Sequence, residues 1–329
     1  MTLAYSVVVP TAGRATLGRL LESLAATSGS RPSQIVIADD RPRSCTGSLK
    51  PTTALPLEVV RSYGRGPAAA RNAGARLARS EWIVFLDDDV IVPPEWGRLL
   101  ASDLITADPP TAAIQGRIEV PLPPDRRPTD WERNIKGLEK ARWATADMAY
   151  RRSVLMELGG FDERFPHAYR EDTDLGLRTV GAGYSIELGR RCVIHPVGPS
   201  SALKSVVLQR GNADDALMGA LHGRGWRVAG GVPGGRRPRH VFVSASAVAA
   251  LLAAWRRRRG PARWAAAVYA LGVAELAWAR IAPGPRTPAE VATMIATSAL
   301  LPAAACYHWL KGAAASLPLR LRSPGSSGS

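Results

Sequence analysis

The chain has 329 residues, 46% hydrophobic and 22% charged, which is enough apolar content for a buried core and excludes disorder of the whole chain. Its net charge of +15 is uneven: residues 1–200 hold 26 Lys and Arg against 24 Asp and Glu, whereas residues 201–329 hold 17 against 4. Three scattered cysteines (Cys45, Cys192 and Cys306), with no Cys-x-x-Cys pair, speak against a zinc knuckle or a disulfide framework and fit a reducing compartment.

In chain order, residues 6–9 form a short apolar run, followed by the turn signal Pro10-Thr11-Ala12-Gly13. The chain enters this run without the basic and apolar stretches of a signal peptide, so the front part is expected to stay in the cytoplasm. Leu17, Leu20, Leu21 and Leu24 then recur at helical spacing. Residues 34–38 are a second apolar run ending in Asp39-Asp40, and residues 57–60 are a third. Residues 68–78 read as an Ala-rich helix, and residues 82–86 as a strand running into Asp87-Asp88-Asp89. This alternation predicts an α/β fold, a mostly parallel sheet with helices on both faces.

Further on, residues 121–130 read as a surface loop. Residues 144–195 contain a helix-like stretch, Gly-Gly turns and a closing strand, Cys192-Val193-Ile194-His195. Residues 229–240, rich in Gly, Pro and Arg, read as a linker. The expected organisation is therefore a domain over 1–230, a helical module over 231–322 and a disordered tail over 323–329.

The module contains three Ala-rich apolar stretches, 241–255, 264–281 and 291–309. A spanning helix needs about 20 mostly apolar residues. The first stretch is short, the second contains Glu275 and Arg280, and the third contains Pro302. The pattern predicts helices lying on a membrane, with a spanning module and a soluble helical cap as the alternatives. Few Tyr or Phe accompany the basic residues here, so lipid rather than nucleic acid is the expected partner.

In sheets of this kind ligands bind beyond the carboxyl ends of the strands. Three such ends are polar: Pro10-Thr11, Asp39-Asp40 and Asp87-Asp88-Asp89. Three adjacent carboxylates repel one another unless a cation neutralises them, and hard oxygen ligands suit Mg²⁺ or Mn²⁺. Arg71 carries a planar fork that can hold a phosphate or a base edge, although a lone helical Arg more often faces solvent. Glu171-Asp172-Thr173-Asp174 is a second acidic cluster. A carboxylate there can act as a general base, and acids also favour helix N-termini. His195 can touch a metal or diphosphate, or simply pack in the core. Trp131 and Trp143 can stack on a sugar or fill the core.

The segments Val7-Val-Val-Pro10-Thr11, Ile35-Val-Ile-Ala-Asp39-Asp40, Ala70-Arg71-Asn72-Ala-Gly74, Phe85-Leu-Asp-Asp-Asp89, Gly159-Gly160-Phe161-Asp162-Glu163 and Glu171-Asp172-Thr-Asp174-Leu175, with Arg178, follow one another in that order. Over roughly residues 5–195 the chain resembles the family 2 glycosyltransferases. The resemblance implies the GT-A fold, a Rossmann-like, mostly parallel sheet. It implies that Pro10, Thr11, Asp39 and Asp40 line the nucleotide-sugar pocket with Arg71, Asp87 and Asp88. A divalent metal between the diphosphate oxygens is implied at Asp89, with Asp87 and His195 beside it. Asp172, next to Glu171, is implied as the catalytic base, and Gly160 and Phe161 as shaping the acceptor side. The implied reaction is inverting transfer from a nucleotide-sugar donor, UDP-linked by resemblance, to a hydroxyl of a glycan or lipid-linked acceptor at the inner face of the cell membrane.

No Gln-x-x-Arg-Trp sequence of processive synthases occurs, and Gln209-Arg-Gly-Asn212 is not that motif, so transfer of a single sugar is expected. Two other readings compete. A nucleotidyltransferase-like enzyme would need a Gly-rich basic loop after the first strand, of which Pro10-Thr-Ala-Gly-Arg14 is a poor version. A non-enzymatic membrane-surface module would rest on the basic back half alone.

Overall fold

A computed structural model describes residues 4–47 and 49–322; the expected tail, 323–329, lies outside the described residues. The first part contains β1 (Tyr5–Thr11), α1 (Thr16–Ala25), β2 (Gln34–Asp39), β3 (Leu57–Arg61), α2 (Pro67–Leu77), β4 (Trp82–Leu86), α3 (Trp96–Ile105) and β5 (Thr111–Glu119). Then come α4 (Asp130–Lys136), β6 (Asp147–Arg151), α5 (Arg152–Glu157), α6 (Glu171–Gly181) and β7 (Ser185–Ile194). The rest is helical: α7 (Lys204–Val207), α8 (Gly211–Leu221), α9 (Trp226–Ala229), α10 (Arg237–Trp255), α11 (Arg259–Ile281), α12 (Pro288–Ala315) and α13 (Leu317–Arg322).

The strands form one seven-stranded sheet in the order β3-β2-β1-β4-β6-β5-β7. Strand β6 runs antiparallel to both β4 and β5, and the other neighbours pair in parallel, so six strands share one direction. The expected α/β class and mostly parallel sheet are found. Strands β1, β2 and β4 are almost wholly buried, as strands covered on both faces must be. Helix α2 lies close on β1 because Gly74 has no Cβ; one added there would stand 2.4 Å from Val8 Cγ1. The core around Val8, Phe85, Met148, Trp143 and Phe161 continues beneath α6 through Leu175.

Strand β7 carries an irregularity between its pairings at Leu188 and Cys192. There the fully buried Arg191 turns inward, donating to Asp147 at 2.8 Å and Asp103 at 3.1 Å, while Trp96 Nε1 donates to Asp147 at 2.8 Å. A buried charge survives only when paired and hydrogen-bonded in this way.

By contacts the chain divides into two compact units. The sheet unit runs to Pro121 and includes 136–197 and 229–231; the helical unit takes 122–135, 198–228 and the chain from Val232 onward. The helical unit thus begins well before the linker read at 229–240. Helix α8 packs on α12 where Gly312 meets the Ala213 backbone, and Arg280 reaches Asp130 at 2.8 Å and Ser205 at 3.0 Å. Thr287 caps α12, its Oγ1 accepting from Glu290 N–H at 3.4 Å, while the Glu290 carboxylate accepts from Asp130 N–H at 2.8 Å.

Helices α10, α11 and α12 are each long and apolar enough, by length and composition, to cross a membrane. This corrects the reading of 241–255 as too short, because the helix starts at Arg237 and runs for 19 residues.

Candidate active site

Apart from Trp131, the site residues read from the sequence belong to the sheet unit. Parallel register brings the carboxyl ends of β1, β2 and β4 to one edge of the sheet. Asp147 stands at that same edge, opposite Leu86, because β6 runs the other way and begins there. A bridge between Ile91 and Ile194 then draws the end of β7 toward the loop after β4. This bridge is what makes Asp89 and His195 neighbours, with Asp89 Oδ1 and His195 Nε2 3.5 Å apart.

The three consecutive aspartates have three different fates. Asp87 accepts from Arg71 Nη2 at 2.9 Å. Asp88 is buried, accepting from Thr11 Oγ1 at 2.5 Å and Arg14 Nη1 at 3.1 Å; burial pushes its carboxyl up to about 6. Asp89 accepts from Arg14 Nη1 at 2.6 Å and stays partly open. Burial, then the charge of Asp87, raises the Asp89 carboxyl, against the opposing pull of His195 and Arg14.

Of the three expected metal ligands, the structure thus unites Asp89 and His195 and assigns Asp87 to Arg71. Among the described residues no group of three His, Cys, Asp or Glu side chains is placed to hold an ion. The pair that does converge, one carboxylate and one imidazole, fits a divalent cation that takes its other ligands from phosphate oxygens and water. His195 Nδ1 is buried without a hydrogen-bond partner, so the ring is not locked from its far side.

Arg71 is buried and does not face outward as a nucleotide clamp would. Its fork spans Asp87 and Glu171, the latter at 2.7 Å from Nη1. It joins the acidic segments at Asp87 and Glu171, the latter 100 residues from Arg71 in sequence. Glu171 is buried, with Oε2 unpartnered, and burial pushes it up to about 7 despite Arg71. Asp172 is only half-buried. Its carboxyl is raised by burial, against Arg71 and its hydrogen bond from Thr173 N–H at 2.7 Å. Both acids sit in the first turn of α6, where the helix dipole favours negative charge. The preceding Arg170 takes φ +78°, a left-handed turn that sets the helix start.

On the β2 side, Asp39 is fully buried and gripped by Arg41, with Nε at 2.9 Å and Nη2 at 2.8 Å. Burial works to raise it, but hydrogen bonds from Arg41 and the charges of Arg41 and Arg61 hold it below the usual carboxylate range. Asp40 accepts from Ser62 Oγ at 2.7 Å and Gly66 N–H at 3.0 Å, securing the chain that enters α2. Pro10 sits one residue before the end of β1, beside Ala38.

Gly160 and Phe161 are corrected in role. Phe161 is only 2% exposed and meets Phe85 edge-on at 5.1 Å, so it is core behind Arg71, not acceptor wall. Gly160 is closed off by Asn72, whose Oδ1 would lie 2.5 Å from a Cβ there. Trp143 likewise packs in the core, against Gly176. Trp131 belongs to the helical unit, where its Nε1 donates to Gly198 at 2.9 Å.

Sequence reasoning gave no role to three residues. Arg14 bonds two of the three aspartates. Asn72 clamps the 159–163 turn, donating to Phe161 O at 2.8 Å and accepting from Phe161 N–H at 2.8 Å. Arg178, quoted only as part of a motif, donates to Leu158 O at 2.8 Å and Gly160 O at 2.7 Å. The motif strings flagged Asn72 and Arg178, but nothing local pointed to Arg14.

A sheet whose carboxyl edge gathers these acids places the candidate site where ligands bind in sheets of this kind. Residues 6–159 match the family model "Glycosyl transferase family 2". The match covers somewhat less than half of the chain, so this segment is similar to that family. It is 35% identical to an uncharacterized glycosyltransferase of Haemophilus influenzae, over 27% of this chain and 31% of the relative. It is 27% identical to a pre-mycofactocin glycosyltransferase of Mycobacterium tuberculosis, over 54% and 39%. It is also 27% identical to the validoxylamine A glucosyltransferase of Streptomyces hygroscopicus subsp. jinggangensis, over 56% and 53%. The chain thus spans from about a third to about half the length of these curated relatives. Among solved structures it is similar to GalNAc-T7 with UDP, GalNAc and Mn²⁺, at TM-score 0.46 and 18% identity over 68% of this chain and 52% of that one.

Proposed function

We propose that this protein transfers a single sugar, with inversion, from a UDP-sugar to a hydroxyl of a glycan or lipid-linked acceptor. The observation that carries this reading is the meeting of Asp89 with His195, and of Asp172 and Glu171 with Arg71 and Asp87, at one edge of one sheet. The match of residues 6–159 to the family 2 model and the similarity to a relative named as a glucosyltransferase support the class of reaction.

Asp89 and His195 would hold Mg²⁺ or Mn²⁺, which when bound supplies Lewis-acid neutralisation of the diphosphate leaving group. Asp172 is the base. The acceptor oxygen bonds to the anomeric carbon, the bond from that carbon to the diphosphate oxygen breaks, and the hydroxyl proton passes to the Asp172 carboxylate. A raised proton affinity suits a base that must take that proton. Arg71 positions Asp87 and Glu171, and Asp39 with Arg41 shapes the side where the nucleoside binds. Binding both substrates together supplies orientation. The basic helical unit would hold the enzyme at the inner face of the cell membrane.

Calorimetric titration of UDP with and without Mn²⁺, on wild type and Asp89→Ala, tests the donor site. Binding that needs the metal and vanishes in the variant is the expected result. Metal-independent binding, equal in both proteins, would overturn the roles of Asp89 and the cation.

A further inference from the structure

Helices α10 and α11 pair as a hairpin: Val243 packs against Gly272, and Arg236 and Arg239 hold Glu275 at 2.7 and 3.2 Å. Beyond that seam, from residue 244 to residue 275, every residue of the two helices is half-buried or exposed, and Tyr269 reaches α12, its hydroxyl donating to Ala299 O at 3.1 Å. The exposed residues there are large and apolar, including Leu251 at 71%, Trp255 at 78%, Trp264 at 77% and Leu271 at 70%. Helix α12 differs: it is seated on α8 through Gly312 and buries Met294, Leu301 and Ala305.

Apolar residues are spread around α10 and α11 and not gathered into one stripe. A helix of that kind belongs in a protein core or in lipid. The turn carries Arg256, Arg257, Arg258, Arg259 and Arg263, and the one carboxylate on either helix, Glu275, is engaged at the opposite end. A second copy would bring its own basic cluster to this surface. Phospholipid phosphates supply the complementary charge, and Trp255 and Trp264, flanking the arginines, suit the boundary between headgroups and acyl chains.

We infer that the α10–α11 hairpin, and not α12, is the element that enters a bilayer, and that its arginine turn selects anionic lipid. This rests on the membrane reading of the helical unit and names the element and the lipid class.

The test is flotation of the full-length chain with vesicles of phosphatidylcholine alone or mixed with phosphatidylglycerol. Wild type is expected to float with the mixed vesicles and much less with neutral ones. The combined variant Leu251→Glu, Trp255→Glu and Trp264→Glu, at exposed positions, is expected to stay at the bottom with an unchanged circular dichroism spectrum. Replacing Arg256 through Arg259 by Ser is expected to lower partitioning on the order of a thousandfold. Leu310→Glu, exposed on α12, is expected to float like wild type.

If wild type floats and the hairpin variants float equally well, the hairpin assignment is overturned while the membrane reading stands. If wild type ignores every vesicle, the membrane reading itself fails. Light scattering that shows wild-type dimers, dissociated by the Glu substitutions and indifferent to vesicles, would make the hairpin a self-association surface and overturn the proposal.

Discussion

The sheet unit and the helical unit solve opposite problems. The first buries charge: Arg71, Arg191, Asp39, Asp147 and Glu171 lie inside it, each matched to a partner of opposite sign. The second exposes apolar surface on α10 and α11. Buried charges are costly and persist where geometry must be held, as at a reaction centre. Exposed apolar helices persist where the surrounding medium is itself apolar. The contrast supports the proposal that chemistry belongs to one unit and location to the other.

The largest expected effect falls on the chemistry. Asp172→Asn should lower kcat by about a thousandfold, the usual worth of a general base, with UDP affinity unchanged; an active variant would move the base elsewhere in the sheet unit. The pH dependence sharpens the same point. Burial raises both Asp172 and Glu171. A base with a raised value is protonated, and idle, until the pH climbs past it. The acid limb of kcat/KM should therefore lie above the ordinary carboxylate range. A limb near 4 would mean that the acids are solvated during turnover.

A smaller effect is expected from Arg71→Met. It leaves Asp87 and the buried Glu171 without their cation and should cost about 3–5 kcal/mol in thermal or denaturant unfolding. Adding Glu171→Gln should return part of that loss, since the two side chains are in contact. The smallest effect should come from the other unit: Leu251→Ser removes no core contact and should change stability by less than about 0.5 kcal/mol without lipid. A large loss there would mean that protein, not lipid, covers the hairpin.

Much of this frame was legible in the sequence. An apolar run ending in acids is a local pattern, so strands β1, β2 and β4 and the acids after β2 and β4 could be read directly. The three apolar stretches of the back half became α10, α11 and α12 with only their ends moved. Strands β5 and β6 escaped notice, because Ala-rich runs such as Thr111-Ala-Ala-Ile114 and Asp147-Met-Ala-Tyr150 carry no period that separates strand from helix.

What the sequence determined by itself was the inventory: strand-end acids, a base candidate at a helix start, and a basic, apolar back half. Only the tertiary structure decided which member of each cluster does what. Asp87 was separated from Asp89 by Arg71, Asp88 was drawn inward by Thr11, and Phe161 was sunk behind the site. Arg191 and Asp147, 44 residues apart, met because of an irregularity in β7. The physical reason is range. Propensity and periodicity act over a few residues, whereas the pairing of buried charges is settled by strand order and register, which bring together side chains up to a hundred positions apart.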